Sequence, residues 1–245
     1  MNRKRQKIRN GIILVSFFLF PAVFYYMSPA LIINASAEGT VNGSFIMFGL
    51  MFLASLVLGR GYCGWLCPAA GCQEAMFLAR DRRVARGNLI KWLLWVPWIA
   101  AIAIFAFKAG GYNKVDFFYQ TTHGLSIGNF QSLIVYYLVL FLLIVLPGLI
   151  VGKRSFCHHL CWMAPFMIIG RSLRNTCGWA AFALTAEPDN CTGCRLCTSR
   201  CPMSLEVEDM VKNGKMEHPE CILCGTCVDT CKKGAIDFCW ARPGL

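Results

Sequence analysis

Apolar residues run almost without interruption through four stretches of the chain, roughly 11 to 33, 44 to 59, 92 to 110 and 130 to 151. Polar and charged residues collect between these stretches and after the last. A helix crossing a hydrocarbon core needs about 20 predominantly apolar residues. The pattern therefore predicts an α-helical membrane protein with four transmembrane helices, the fourth the clearest and the second the shortest. Two more apolar stretches, 162 to 170 and 177 to 186, are too short to span and are expected to lie in the interface or re-enter it, tethering the polar tail to the membrane. Composition agrees: of 245 residues 56% are hydrophobic and 15% charged, unlike an ordinary soluble domain.

The first stretch shares features with a secretory signal, since RKRQKIR precedes it and ASA comes after it at 35 to 37. Its apolar run is longer than a signal core of roughly 7 to 15 residues, which favours a retained helix. Lys and Arg set the orientation, because cytoplasmic flanks collect them. Five precede the first helix, six lie between Arg60 and Lys91 and four between Lys153 and Arg174, whereas the opposite loops with their flanks hold Lys108 and Lys114. Both termini are expected in the cytoplasm, in a multi-pass protein of the cytoplasmic (inner) membrane. The net charge of +11 belongs to the membrane half, because the tail from Glu187 onward has seven basic and nine acidic residues. Topology and contact with the lipid bilayer's anionic headgroups explain that excess, and no nucleic-acid partner is expected.

All fifteen cysteines fall in segments assigned to the cytoplasmic side, where thiols stay reduced and dense cysteine points to metal. The tail reads CTGCRLCTSRCP from Cys191 and CILCGTCVDTCK from Cys221, so Cys-x2-Cys-x2-Cys-x3-Cys occurs twice. An iron–sulfur cube needs four thiolates from a short loop, and in this run the fourth cysteine serves the other cluster. Iron would thus be held as one 4Fe-4S cluster by Cys191, Cys194, Cys197 and Cys231, and as a second by Cys221, Cys224, Cys227 and Cys201. Zinc can take four cysteines, but it needs neither eight nor this interleaving. KNGK at 212 to 215 suits a tight hairpin turn, and GAIDF reads as a short strand. Residues 187 to 240 closely resemble bacterial two-cluster ferredoxins, which implies their α+β fold; Lys232 stands where Pro202 follows the first motif.

The membrane half repeats as well. YCGWLCPAAG follows the second apolar stretch and FCHHLCWMAP the fourth, so Cys63 and Cys67 correspond to Cys157 and Cys161. On a continuing helix a spacing of four puts both thiols of a pair on one face. Two helix hairpins packed about a pseudo-twofold axis would bring all four to the cytoplasmic surface, with Pro68 and Pro165 ending or kinking the helices beyond. Three readings stay open: a third cluster, redox-active dithiols with pKa lowered by Arg60, Lys153 and Arg154, or small residues buried at a helix contact.

Duplicated Cys-x3-Cys motifs, the first followed by proline, on four membrane helices with a two-cluster tail resemble the NapH-type membrane ferredoxins of periplasmic nitrate reductase systems. The same core is similar to that of the NosR-type and FixG/CcoG-type families. The layout, without a flavin-bearing outer domain or a sandwich-like tail, is nearest the first, although Trp162 stands where that family's second motif has proline. The resemblance implies electron transfer from a quinone pool towards other redox subunits or an extracytoplasmic reductase.

The expected organisation is a four-helix membrane domain at 1–175, an interfacial linker at 176–186 and a ferredoxin domain at 187–245. No nucleophile, general-base constellation or phosphate loop is present, so no catalytic residue is assigned. The chain reads as an electron-transfer component of an oxidoreductase complex, passing electrons between the quinone pool or a cytosolic donor and a partner reductase or extracytoplasmic redox protein; the alternative is a redox-sensing or metal-reducing accessory protein for another metalloenzyme. No spaced histidine pair suits b-type haem, and none is expected. His158 and His159 are candidates for hydrogen bonds to a cluster sulfur or a quinol proton, against simple polar packing. Cys72, Cys177 and Cys239 are expected as buried small hydrophobes. Asp116, Tyr119 and His123 mark the outward loop most suited to a docking partner. Aromatic residues at helix ends predict an interfacial belt, or walls of a quinone pocket that composition does not locate.

Overall fold

The first apolar stretch is not one straight rod. In the computed structural model, which describes residues 3–84 and 87–243, it forms α1 (Arg3–Val23), a 3-10 turn (Phe24–Met27) and α2 (Pro29–Ala37). Pro21 inside α1 lacks an N–H and its ring crowds the preceding turn. Pro29 opens α2, where a missing donor costs nothing, and the Ser28 hydroxyl accepts the Leu31 N–H at 3.4 Å. Indoles take the carbonyls freed at the break: Trp162 Nε1 donates to Met27 O and Trp98 Nε1 to Pro29 O, both at 3.1 Å. Such burial in protein is what makes broken backbone tolerable at membrane depth.

A short strand, β1 (Thr40–Asn42), leads into α3 (Gly43–Leu58), which Asn42 caps by accepting the Phe45 N–H at 2.9 Å. Two short helices come next, α4 (Gly61–Trp65) and α5 (Pro68–Ala75), and then α6 (Ile90–Lys108). β2 (Lys114–Asp116) pairs in parallel with β1, Asn42 opposite Asp116. The last long helical stretch comprises α7 (Phe130–Val139), a π-helical turn (Leu140–Val145) and α8 (Leu146–Ile150). It is followed by α9 (Ser155–His159) and α10 (Ala164–Cys177).

Among the described residues three helical stretches are long and apolar enough to cross a membrane: Lys4–Ala37, Ile90–Lys108 and Phe130–Ile150. Their apolar surfaces are mostly uncovered, with Phe18, Leu93 and Phe107 71%, 73% and 88% exposed, as lipid-facing side chains would be. α3 is apolar but has 16 residues, short of the usual span. The helices that succeed the cysteine pairs pack on the apolar helices, α5 on α1 and α10 on α3, while α6 packs chiefly on α2. At the second contact a β-carbon on Gly170 would overlap the Ser55 hydroxyl and lie 3.0 Å from Phe52 O, so glycine is what admits so close a crossing.

In the tail, β3 (Ala181–Ala186) and β4 (Ile236–Ala241) form an antiparallel pair, Phe182 opposite Trp240 and Ala186 opposite Ile236. β4 contains the end of GAIDF. β3 corrects the reading of 177 to 186 as an interfacial tether and of 176–186 as a linker. Its Ala181, Ala183 and Leu184 are buried, and Phe182 stacks on Phe238 at 4.9 Å, so the run gains its cover from the sheet. The stretch 162 to 170 likewise enters amphipathic α10, covered by α3. KNGK is not a hairpin turn: it closes α12 (Val207–Lys212), with Gly214 N–H on Val211 O at 2.9 Å and Lys215 N–H on Met210 O at 3.0 Å. That is a Schellman ending, in which glycine takes the left-handed position.

Candidate functional site

Both tail motifs fold alike. Each is an extended loop that turns into a single helical turn, α11 (Leu196–Ser199) or α13 (Thr226–Thr230), after a left-handed residue, Arg195 or Gly225, directly behind the second cysteine. The loops bring the cysteines into two separate sets. Cys191, Cys194, Cys197 and Cys231 line one cavity of about 270 Å³. Cys201, Cys221, Cys224 and Cys227 line another, of about 20 Å³, walled by Leu184, Met203 and Met216. The last cysteine of each motif thus sits with the first three of the other. The first cavity is the outer one, with Cys194 exposed; in the second, Cys201, Cys224 and Cys227 are buried.

Four sulfur donors around an apolar space suit a cubic cluster ligated at its corners. Among the described residues no three Cys, His, Asp or Glu side chains converge closely enough for a single metal ion; a cube holds its thiolates farther apart. Burial pushes the Cys201 thiol up to about 11 and the Cys221 thiol up to about 12, so both are protonated without metal, whereas a bound cation removes the proton. The Ala235 N–H donates to Cys231 Sγ at 3.4 Å, the kind of contact that tunes a cluster's potential.

The membrane-half cysteines are all buried, Cys63, Cys67, Cys157 and Cys161 being 4%, 8%, 3% and 6% exposed. The helix does not continue through either pair. Cys63 lies in α4, but Cys67 is extended, because the residue before a proline is pushed out of the helical region. Cys157 lies in α9 and Cys161 beyond its end. The two copies still match at the backbone: Cys67 N–H bonds Tyr62 O at 3.0 Å and Cys161 N–H bonds Phe156 O at 2.9 Å. Burial first, and then the closeness of Cys63, Cys157 and Cys161, push the Cys67 thiol well above its ordinary range, so the four sulfurs form one cluster of thiols. Gln73 binds the second copy, donating to Cys157 Sγ at 3.3 Å and accepting the Phe156 N–H at 3.1 Å.

Cations surround this cluster, and they are engaged. Arg60 and Arg154 hold the same place in the repeat, as N-caps of α4 and α9. Arg60 pairs with Glu220 at 2.5 Å; Arg154 pairs with Glu74 and donates to Cys63 O at 2.9 Å. Arg60 Nε and Nη2 and Arg154 Nε are buried without a partner. Burial outweighs these cations at the thiols: the Cys63 thiol is raised, and that of Cys161 is pushed up to about 12. The lowered pKa expected for reactive dithiols is therefore not found at these two. Lys153 turns away, to Asp81 at 2.5 Å and Ser199 O at 3.1 Å.

Several cations expected to mark topology or meet lipid are paired with carboxylates of the tail. Arg5 binds Asp229 at 2.6 Å, Arg83 binds Glu206 at 2.8 Å, Lys91 joins Arg60 on Glu220, and Arg171 and Arg174 share Glu217. The opposite charges of the two halves were visible in the sequence, but not their pairing. His158 Nδ1 meets Asn88 Oδ1 at 2.7 Å while its Nε2 is buried without a partner, and His159 Nδ1 meets Ser155 O at 2.9 Å. Cys72 is buried and Cys239 half-buried, whereas Cys177 is exposed at the end of α10, contrary to its expected burial. In the loop between α6 and α7 Asp116 lies in β2, His123 is left-handed, and the Tyr119 hydroxyl donates to Glu38 at 2.8 Å.

A 4Fe-4S dicluster domain model matches residues 190–236, and a 4Fe-4S binding domain model matches two segments, 43–86 and 133–173, each holding one membrane cysteine pair. An uncharacterized protein of Methanocaldococcus jannaschii is 23% identical across 92% of this chain and 91% of its own length. The methylamine utilization ferredoxin-type protein MauN of Paracoccus denitrificans is 30% identical, over 74% of this chain and 60% of its own. YccM of Escherichia coli K12, provisionally named an electron transport protein, is 20% identical over 72% and 50%. No solved structure matches the chain.

Proposed function

The chain belongs to the ferredoxin-type membrane electron-transport proteins, and on that premise we propose that it is the iron–sulfur conduit of a larger redox system. Cys191, Cys194, Cys197 and Cys231 hold one 4Fe-4S cluster, and Cys221, Cys224, Cys227 and Cys201 hold a second. The sorting of eight cysteines into two cavities, each completed by the other motif's last cysteine, carries this reading. A bound cluster supplies reversible one-electron chemistry; the protein's part is to give thiolates, exclude water and donate hydrogen bonds such as that of Ala235 to Cys231.

Cys63, Cys67, Cys157 and Cys161 are proposed as ligands of a third cluster at the membrane surface. Their burial beside Arg60 and Arg154 supports this, because unpartnered guanidinium nitrogens there call for an anion and a thiolate-ligated cluster is one. We assign α3 as a fourth, short span and both termini to the cytoplasm, supported by the Lys and Arg distribution. Quinone is the proposed membrane-side partner. A narrow apolar cavity of about 40 Å³ between Phe20, Phe24, Leu140 and Ile144 ends on Cys67 and Cys161 and marks where a ring would reach the sulfurs once those side chains part.

Substitution of Cys231 tests the interleaving. Cys231→Ser should alter the electron paramagnetic resonance signal that Cys191→Ser alters, although Cys231 stands in the other motif. An effect shared instead with Cys221→Ser would overturn the assignment.

A further inference from the structure

The two membrane copies are not equivalent where they face the tail. In the first, Gly64 lies between the cysteines, and a β-carbon there would overlap the Ile222 carbonyl oxygen and come within 3.4 Å of Cys224 Cα. Next to it, Trp65 Nε1 donates to Leu223 O at 3.0 Å. The second copy has His158 and His159 at the matching positions, so a side chain fills the space that Gly64 leaves open.

The loop that Gly64 admits is Cys221 to Cys224, from the inner of the two tail cavities. We infer that this loop is the junction between the tail and the membrane cysteines, so that the three cysteine sites stand in the order outer tail site, inner tail site, membrane site. The inference rests on the reading that the membrane cysteines hold a cluster.

Three observations converge on this order. The inner-site loop touches the backbone between Cys63 and Cys67, and several other contacts pin it there: Arg60 donates to Pro219 O at 3.3 Å and Gln6 Nε2 to Cys224 O at 3.1 Å. From α1, which also supplies Gln6, buried Arg9 donates to Gly64 O at 2.7 Å while Arg5 pairs with Asp229 of α13 at 2.6 Å, so one helix joins the first membrane copy to the inner-site motif. The outer site faces the other way: Cys194 is exposed, and its cavity opens among Asn190, Lys232 and Lys233. A soluble partner therefore meets the outer site and the membrane side meets the inner one. One electron moving along the row oxidises one site as it reduces the next, and nothing else is consumed.

The test uses the anaerobically purified full chain, reduced with dithionite, with iron content and spin–spin broadening of the cluster signals as readouts. Removing the outer site with Cys194→Ser and Cys197→Ser should leave the interaction between the remaining two clusters intact. Removing the inner site with Cys224→Ser and Cys227→Ser should abolish interaction with the membrane cluster. A milder variant, Trp65→Phe, keeps every ligand and should weaken the interaction at unchanged iron content. The opposite pattern, interaction lost with the outer site and kept without the inner one, would overturn the order. Absence of membrane-site iron in the unaltered chain would overturn the underlying cluster reading instead, and iron content tells the two failures apart.

Discussion

Arg60 and Glu220 meet at 2.5 Å with side chains 1% and 5% exposed, and they come from opposite halves of the chain. Lys91, also buried, takes the other carboxylate oxygen. The tail is thus held to the membrane half by a desolvated ionic joint as well as by apolar contact. Removing one partner of such a joint strands buried charge, which costs about 3 kcal/mol or more. Glu220→Gln should therefore loosen the tail, read as faster proteolytic release of the ferredoxin unit, while Glu206→Gln, whose pair with Arg83 is exposed, should change it little.

Glu74 gives a pH dependence. Burial alone would raise its carboxyl, but Arg154 and Arg9 outweigh that and hold it below the ordinary carboxylate range. A depressed folded-state pKa adds stability that is fully present above the ordinary carboxylate pKa and is lost as pH falls through the folded value. Stability of the unaltered protein should fall in acid relative to Glu74→Gln, so that the difference between them narrows. A difference that stays constant down to the acid limit of folding would contradict this.

Topology can be read by labelling. Val115 in β2 is 74% exposed in a loop assigned to the outside. A membrane-impermeant thiol reagent applied to intact cells should label Val115→Cys and leave exposed Cys177 unlabelled until the membrane is opened. Labelling of Cys177 in intact cells would reverse the orientation.

Leu184 of β3 walls the inner tail site. Truncation to alanine should cost about 2–5 kcal/mol through the cavity left behind, and it should speed loss of the inner cluster in air more than that of the outer one. Equal rates of loss would argue that β3 does not shield the site.

What the sequence disclosed and what it hid divide along physical lines. The grouping of the eight tail cysteines was legible because one local spacing, Cys-x2-Cys-x2-Cys-x3-Cys, occurs twice, and the membrane pairs because the same spacing recurs behind two apolar runs. The break between Cys63 and Cys67 was implicit in Pro68, but four-residue spacing suggested an unbroken helix. β3 was hidden, since a six-residue apolar run does not distinguish strand from helix and its partner Ile236–Ala241 lies far along the chain. Gly64 carried no signal of its own, because its need for space arises only when Ile222, some 160 residues on, is laid against it. The pairing of Arg60, Lys91 and Arg171 with tail carboxylates was hidden likewise, as their service to topology already explained them.

Iron and acid-labile sulfide per chain, measured on the anaerobically purified full chain beside the variant Cys63→Ser with Cys157→Ser, test most directly whether the conduit reaches the membrane. Three clusters predict about twelve irons per chain, falling to about eight in the double variant. About eight in both would contradict the membrane cluster and leave Cys63, Cys67, Cys157 and Cys161 as buried thiols.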